Sequence, residues 1–250
     1  MRRLGELTWR EVDELKQRRP TVLVPVGSTE AHGPHLPLAT DAILSEELAE
    51  RAAAALDGAG YATLVAPTLS YAITHYASEF AGTISIAPET ATALVADVCA
   101  SLIAQGFHRV CLVNSHLEPA HVASLSDACA RVQARTGVAL VFPDQLEKRW
   151  ARTLTEEFKR GACHAGSYET SLVLAARPEL VHDEVRRRLA PMPIELARAM
   201  REGKRTFVEA GAPEAYFGDP AAASVEEGNE IYARLVTMVV ESVRAAWPRG

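Results

Sequence analysis

The sequence has no long uncharged apolar run, no excess of basic residues and few cysteines. Its 250 residues hold 26 Lys+Arg against 32 Asp+Glu, a formal charge of −6. That acidic balance excludes the basic footprint of a nucleic-acid binder. No window approaches the roughly 18 uncharged apolar residues of a membrane span, so no transmembrane helix is expected. Residues 1–20 are charged and lack the apolar core of a signal peptide. The four cysteines, Cys99, Cys111, Cys129 and Cys163, show no CxxC spacing and read as reduced thiols of a cytoplasmic protein. Also missing are GxGxxG, GxxxxGK[ST], GxSxG and HExxH, which argues against dinucleotide, NTPase, serine-hydrolase and zincin chemistry. What remains is a globular chain read as a single domain over 1–250, long enough to bury a substantial core.

Short apolar runs alternate with longer helical patterns. Thr21–Val26 is a β-branched run of strand length, ended by Gly27-Ser28. Asp41 stands as N-cap of an Ala-rich helix with Ile43, Leu44, Leu48, Ala52 and Leu56 at helical spacing. Residues 61–66 read as a second strand. Pro88 opens another helix, in which Leu94, Val98 and Leu102 mark the expected apolar stripe. Arg109–Asn114 is nearly all apolar, as a strand buried on both faces should be. Pro119–Thr136 reads as helix and 138–142 as strand. Ser224-Val225-Glu226-Glu227 fits a capping box before a last helix with the stripe Ile231, Leu235, Val239 and Val243. Residues 208–223, rich in Gly, Pro and Ala, read as an ordered loop. Such alternation predicts a mostly parallel sheet with helices on both faces. Ligands then bind at the carboxyl ends of the strands.

Those ends carry the polar residues. Gly27 to Asp41 holds two of the chain's eight histidines. Glu30 and His32, two apart, leave an extended backbone on the same side, and the positive end of a helix favours ionised Asp41. One imidazole and two carboxylates make a borderline-hard cation site. A polar loop with solvated histidines is the plain alternative. After Arg109–Asn114, His116 and Glu118 repeat the two-residue spacing. The five residues Glu30, His32, Asp41, His116 and Glu118 suffice for two metals if Asp41 bridges, a device that acidifies a water and polarises a carbonyl. His121 reads as a helix residue rather than a ligand. His164, between small residues in 161–171, suits a proton shuttle, with a hydrogen-bonded loop histidine as the alternative. Cys163 points away from His164 in extended backbone and is discounted as a nucleophile. Glu169 reads either as support behind a ligand or as a helix-start carboxylate.

The run Pro25-Val26-Gly27-Ser28-Thr29-Glu30-Ala31-His32-Gly33-Pro34-His35-Leu36-Pro37-Leu38-Ala39-Thr40-Asp41 closely resembles the signature of the creatininase (creatinine amidohydrolase) family. The resemblance continues through Phe80-Ala81-Gly82-Thr83-Ile84-Ser85, Val113-Asn114-Ser115-His116, His164-Ala165-Gly166-Ser167-Tyr168-Glu169-Thr170-Ser171 and Gly218-Asp219-Pro220. It implies a three-layer α/β/α sandwich with a mostly parallel central sheet, and amide hydrolysis by a water bridging two divalent ions (Zn, Mn or Fe). It also implies a homo-oligomer, often a hexamer. Carried over, Glu30, Asp41 and His116 hold one metal and His32, Asp41 and Glu118 the other. His164 transfers the proton.

Many family members read Asn-Gly-His-Gly-Gly-Asn where this chain reads Asn114-Ser115-His116-Leu117-Glu118-Pro119. True creatininases have the His-x-Glu form with an aromatic residue between, so Leu117 argues against creatinine itself. Trp150 corresponds to a pocket tryptophan, a second such tryptophan has no match, and Thr74 or His75 lines the pocket opposite. The expected activity is hydrolysis of a C–N amide bond in a small cyclic or linear molecule. One rival reading, mycofactocin-peptidase-like or formamide hydrolase, trims a peptide-derived or formamide intermediate. Another is a non-catalytic metal-binding scaffold.

Overall fold

β1 (Thr21–Val26) lies at the centre of the sheet in the computed structural model, which describes residues 2–248. It pairs in parallel with β2 (Thr63–Val65) and β3 (Arg109–Asn114), in the order β2-β1-β3, with Thr21 opposite Thr63 on one side and Arg109 on the other. Pro25 sits in this central strand without breaking the ladder. Thr21 and Gly27 donate on the β2 side, to Ala62 and Leu69, and the missing Pro25 donor falls past the end of β2. Residues 138–142 do not form the expected strand; only Val141 joins the sheet, by a parallel bridge to Cys111. Pro143 follows two residues later and has no N–H with which to extend the pairing.

Helices cover both faces. α1 (Trp9–Lys16) precedes β1, α2 (Thr40–Gly58) links β1 to β2, α3 (Pro88–Ala104) precedes β3 and α4 (Pro119–Thr136) follows it. Short helices α5 (Lys148–Ala151) and α6 (Glu156–Arg160) lead to α7 (Ser167–Ala176). α8 (Asp183–Arg186) and α9 (Leu196–Arg201) lead to α10 (Val225–Ala246). Alternation along the strands divides the core. Val22, Val24 and Val26 pack with Leu112 against Val95 and Cys99 of α3 and Leu125 of α4. Leu23, Cys111 and Val113 face the other way, against Leu48 of α2, Leu172 of α7 and Leu235 of α10. The fold is thus a three-layer α/β/α sandwich, and Ile231, Leu235, Val239 and Val243 are all buried. Among the described residues no helix is long and apolar enough to cross a membrane.

Two helical details differ from expectation. The buried side of α3 is Ala91, Val95, Ala96, Cys99, Leu102 and Ile103; of the expected stripe Leu102 is buried and Val98 packs against the core, while Leu94 is exposed. The helix is apolar enough all round that spacing alone does not choose its inner face. At the head of α10, Ser224 Oγ accepts the Glu227 N–H at 3.1 Å, but Glu227 does not return the bond. Its carboxylate instead accepts the hydroxyls of Ser167 (2.6 Å) and Ser171 (2.7 Å). A third apolar cluster, containing Leu196, Phe207, Ala212, Ala215 and Phe217, lies apart from both layers.

Candidate metal centre

β1 ends against the first turn of α2, and Gly27 makes that approach possible. A Cβ there would stand 2.5 Å from the Asp41 carbonyl carbon, so only glycine lets the two segments touch. Asp41 therefore lies one residue inside α2, whose N-cap is Ala39, and its carboxylate turns toward the loop after β1. There Ser28 Oγ donates to Asp41 Oδ2 at 2.7 Å. After β3, Asn114 shapes the second loop: its Nδ2 donates to the His116 carbonyl at 2.7 Å and its Oδ1 accepts the His116 N–H at 3.2 Å. The third contributor is the start of α7, which carries Glu169.

These three segments converge. Glu30, Asp41 and His116 form one buried group of potential ligands, and His32, Asp41 and Glu169 another, the atoms of each lying within 4.8 Å of one another. Asp41 belongs to both: Oδ2 is 2.9 Å from His116 Nδ1 and Oδ1 is 3.3 Å from His32 Nε2. Each imidazole is held by its other nitrogen. His32 Nδ1 donates to the Glu30 carbonyl at 3.1 Å, His116 Nε2 to Ile73 at 2.7 Å and His164 Nε2 to Ala31 at 3.0 Å. Every ring thus presents its remaining nitrogen to the carboxylates, the arrangement that fixes metal-binding histidines. His32 Nε2 is buried without a hydrogen-bond partner, 3.5 Å from Glu169 Oε2. Carboxylates and imidazoles without a thiolate fit a divalent ion such as zinc, manganese or iron.

The electrostatics point the same way. Burial alone would depress the His32 pKa, but Asp41, then Glu169 and Glu30, push it up to about 10. His116 is likewise raised well above the usual range, against burial, by Glu30 and Asp41. Burial works to raise Asp41, yet His32 and His116 hold it well below the ordinary carboxylate range. Glu169 goes the other way, up to about 8, because burial outweighs His32. So many buried carboxylates require positive charge among them. His164 differs. Burial, then His32, take it down to about 3, so it is a neutral base at ordinary pH.

Glu118, expected in the second ligand set, stands outside these close groups but lines the same cavity as Glu30, Asp41 and His116. It caps the start of α4, where its Oε2 accepts the Tyr76 N–H at 3.3 Å. Glu169, expected behind a ligand or as a helix-start carboxylate, lies in the first turn of α7 close to His32 and accepts the Ala165 N–H at 2.6 Å. Thr74, unlike Glu118, does not line the cavity: its hydroxyl donates to Glu30 Oε2, so it stands behind a ligand. Trp150 also lies off the cavity, packed on the α2–α7–α10 side of the core with the Arg149 guanidinium 4.8 Å over its ring. The segment joining it to Cys163 folds into α5 and α6 and carries it away from the loops that form the site.

Leu117 does line the cavity, which measures about 70 Å³, room for a few water-sized groups. Cys163 also lines it, its thiol pushed far above the usual range chiefly by burial, which fits its exclusion as a nucleophile. The remaining walls are Tyr76, Leu196, Met200 and Phe207, none of which carried a signal in the sequence. His121 stacks 4.9 Å from the His116 ring and donates to Asn114 Oδ1 at 3.2 Å, a supporting place in the first turn of α4.

A family profile described as "Creatininase: Creatinine amidohydrolase" matches residues 5–243. A "Mycofactocin precursor peptide peptidase" of Mycobacterium tuberculosis is 33% identical over 251 residues, covering 98% of this chain and 92% of that protein. A solved creatinine amidohydrolase (creatininase) superposes with a TM-score of 0.80 at 24% identity, over 99% of this chain and 98% of that one. Another, described as "Creatininase Mn", gives 0.78 at 25% identity over 99% of both chains.

Proposed function

The chain belongs to the creatininase family of hydrolases, and from that premise we propose that it is a metal-dependent amidohydrolase cleaving a C–N amide bond of a small or peptide-derived molecule. One observation carries the reading. Two buried ligand groups share Asp41 at the floor of a cavity, with the lone nitrogen of His164 beside them. Glu30, Asp41 and His116 would hold one divalent cation and His32, Asp41 and Glu169 a second, which together supply Lewis acidity toward a carbonyl and a water acidic enough to react near neutral pH.

The rest is done by the chain's own groups. Ser28 and Thr74 hold Asp41 and Glu30 in place. His164 keeps its Nε2–H on the Ala31 carbonyl, so Nδ1, 3.9 Å from Glu30 Oε1, is the atom that takes a proton and returns it to the leaving nitrogen. Glu118 lies on the cavity wall beside His116 and Leu117, its carboxyl pKa raised, chiefly by burial, and would face the scissile bond. The peptide-directed relative, matched over nearly its whole length, favours a peptide-derived substrate, and Leu117 in place of an aromatic residue disfavours creatinine. A cytoplasmic homo-oligomer belongs to the same proposal, on the family resemblance and the free cysteines.

The test is elemental and kinetic. Purified protein should carry about two equivalents of divalent metal and hydrolyse members of an amide panel spanning creatinine, formamides and short peptides. Asp41→Asn should lose both metal and turnover. Wild-type protein with only trace metal after loading would sink the proposal.

A further inference from the structure

Residues 192–218 leave the layered core and return to it. Met192 and Gly218 close the segment at its base, each donating its N–H to the other's carbonyl, at 2.7 and 2.8 Å. Inside, the segment packs on itself through the third apolar cluster. Backbone bonds fasten it over the metal centre, among them Phe207 N–H to Tyr76 O at 2.9 Å, Phe217 N–H to His164 O at 2.8 Å and Gly33 N–H to Ala215 O at 2.7 Å. The result is an arm that roofs the cavity. Leu196 and Met200, one turn apart on α9, line it together with Phe207, whose ring lies 4.3 Å from that of His164 and 6.1 Å from that of Tyr76.

Leu117 and Tyr76 complete an apolar lining, and among the described residues no Lys or Arg lines the cavity. An anionic substituent would lose its hydration there without a partner, whereas an aryl or branched aliphatic group would gain by burial against the apolar wall. The wall also stands directly against His164, so whatever it holds lies next to the reacting bond.

We propose that this arm is a specificity element, with Phe207, Met200 and Leu196 forming a subsite for an apolar side group attached beside the scissile amide. The inference deepens the amidohydrolase reading and rests on it only for the identity of the reacting bond. It makes the preferred substrates amides flanked by an aryl or branched aliphatic group.

The probes are N-benzylacetamide and N-methylacetamide, which differ in the apolar group, titrated into the full-length protein and followed by NMR. The benzyl compound should bind about ten-fold tighter or more. Phe207→Ala and Met200→Ala should each shrink that ratio, with circular dichroism confirming the fold. Met200 is only partly buried, so its variant keeps the test alive if the Phe207 variant unfolds. Equal affinity for the two probes, or an unchanged ratio in folded Met200→Ala, overturns the subsite. Hydrolysis of the amide panel is scored separately. A preserved binding ratio with no amide hydrolysed would reject the amidohydrolase reading and leave the subsite standing.

Discussion

Asp41 shows how a single residue gathers the site. Its Oδ1 and Oδ2 address different imidazoles, and Ser28 Oγ holds Oδ2 at 2.7 Å. Removing that hydroxyl deletes no ligand atom, yet it frees the carboxylate that both groups share. Ser28→Ala is therefore expected to weaken metal binding about 10- to 100-fold, measured by competition with a chromophoric chelator. An unchanged affinity would mean that α2 alone orients Asp41. The placing of Glu118 belongs to the same scale. A two-residue spacing places His116 and Glu118 on one side only in extended backbone. Asn114 pins the loop through both the N–H and the carbonyl of His116, and the chain turns into α4 at Glu118.

Among the elements, the seam between α7 and α10 decides where Glu169 stands. Glu227 accepts Ser167 and Ser171 hydroxyls from α7, Ser171 Oγ accepts the Ser224 N–H at 3.0 Å, and Gly228 lies against the Ser171 carbonyl. A half-made capping box is the consequence, since the carboxylate that would close it locally is used between helices. An added Cβ at Gly228 would overlap that carbonyl oxygen and push the helices apart. Gly228→Ala should accordingly cost about 1–3 kcal/mol in urea unfolding, and it should also lower metal affinity by shifting Glu169. Loss of stability with full affinity would show that α7 is held by its own N-terminal contacts. Those exist: Glu157, from α6, accepts the Ser167 and Tyr168 N–H groups at 3.1 and 2.8 Å.

At the scale of the whole molecule, the metal centre ties together the loops after β1 and β3 and the start of α7, segments distant in the chain, from Glu30 to Glu169. Cations bound only in the folded state should stabilise it by about 4 kcal/mol at a free concentration 1,000-fold above Kd. Chelation with EDTA should lower the calorimetric unfolding midpoint of the wild type and leave Asp41→Asn unmoved. An equal response in both would place the relevant metal elsewhere. Periodicity and short-range chemistry alone determined β1, β3, α4 and the buried stripe of α10, because strand alternation, a prolyl helix start and a glycine stop act over a few residues. They also pointed to Glu30, His32 and His116 on the loops after β1 and β3, where a parallel sheet presents its ligands. Only tertiary structure decided that Glu169 comes close to Asp41 and His32, that Thr74 stands behind Glu30, and that Trp150 lies away from the cavity. It alone brought Leu196, Met200 and Phe207 over His164. Those outcomes depend on the close approach of distant segments, through Gly27, Gly228 and the Met192–Gly218 closure, and such an approach leaves no periodic mark in the sequence that makes it.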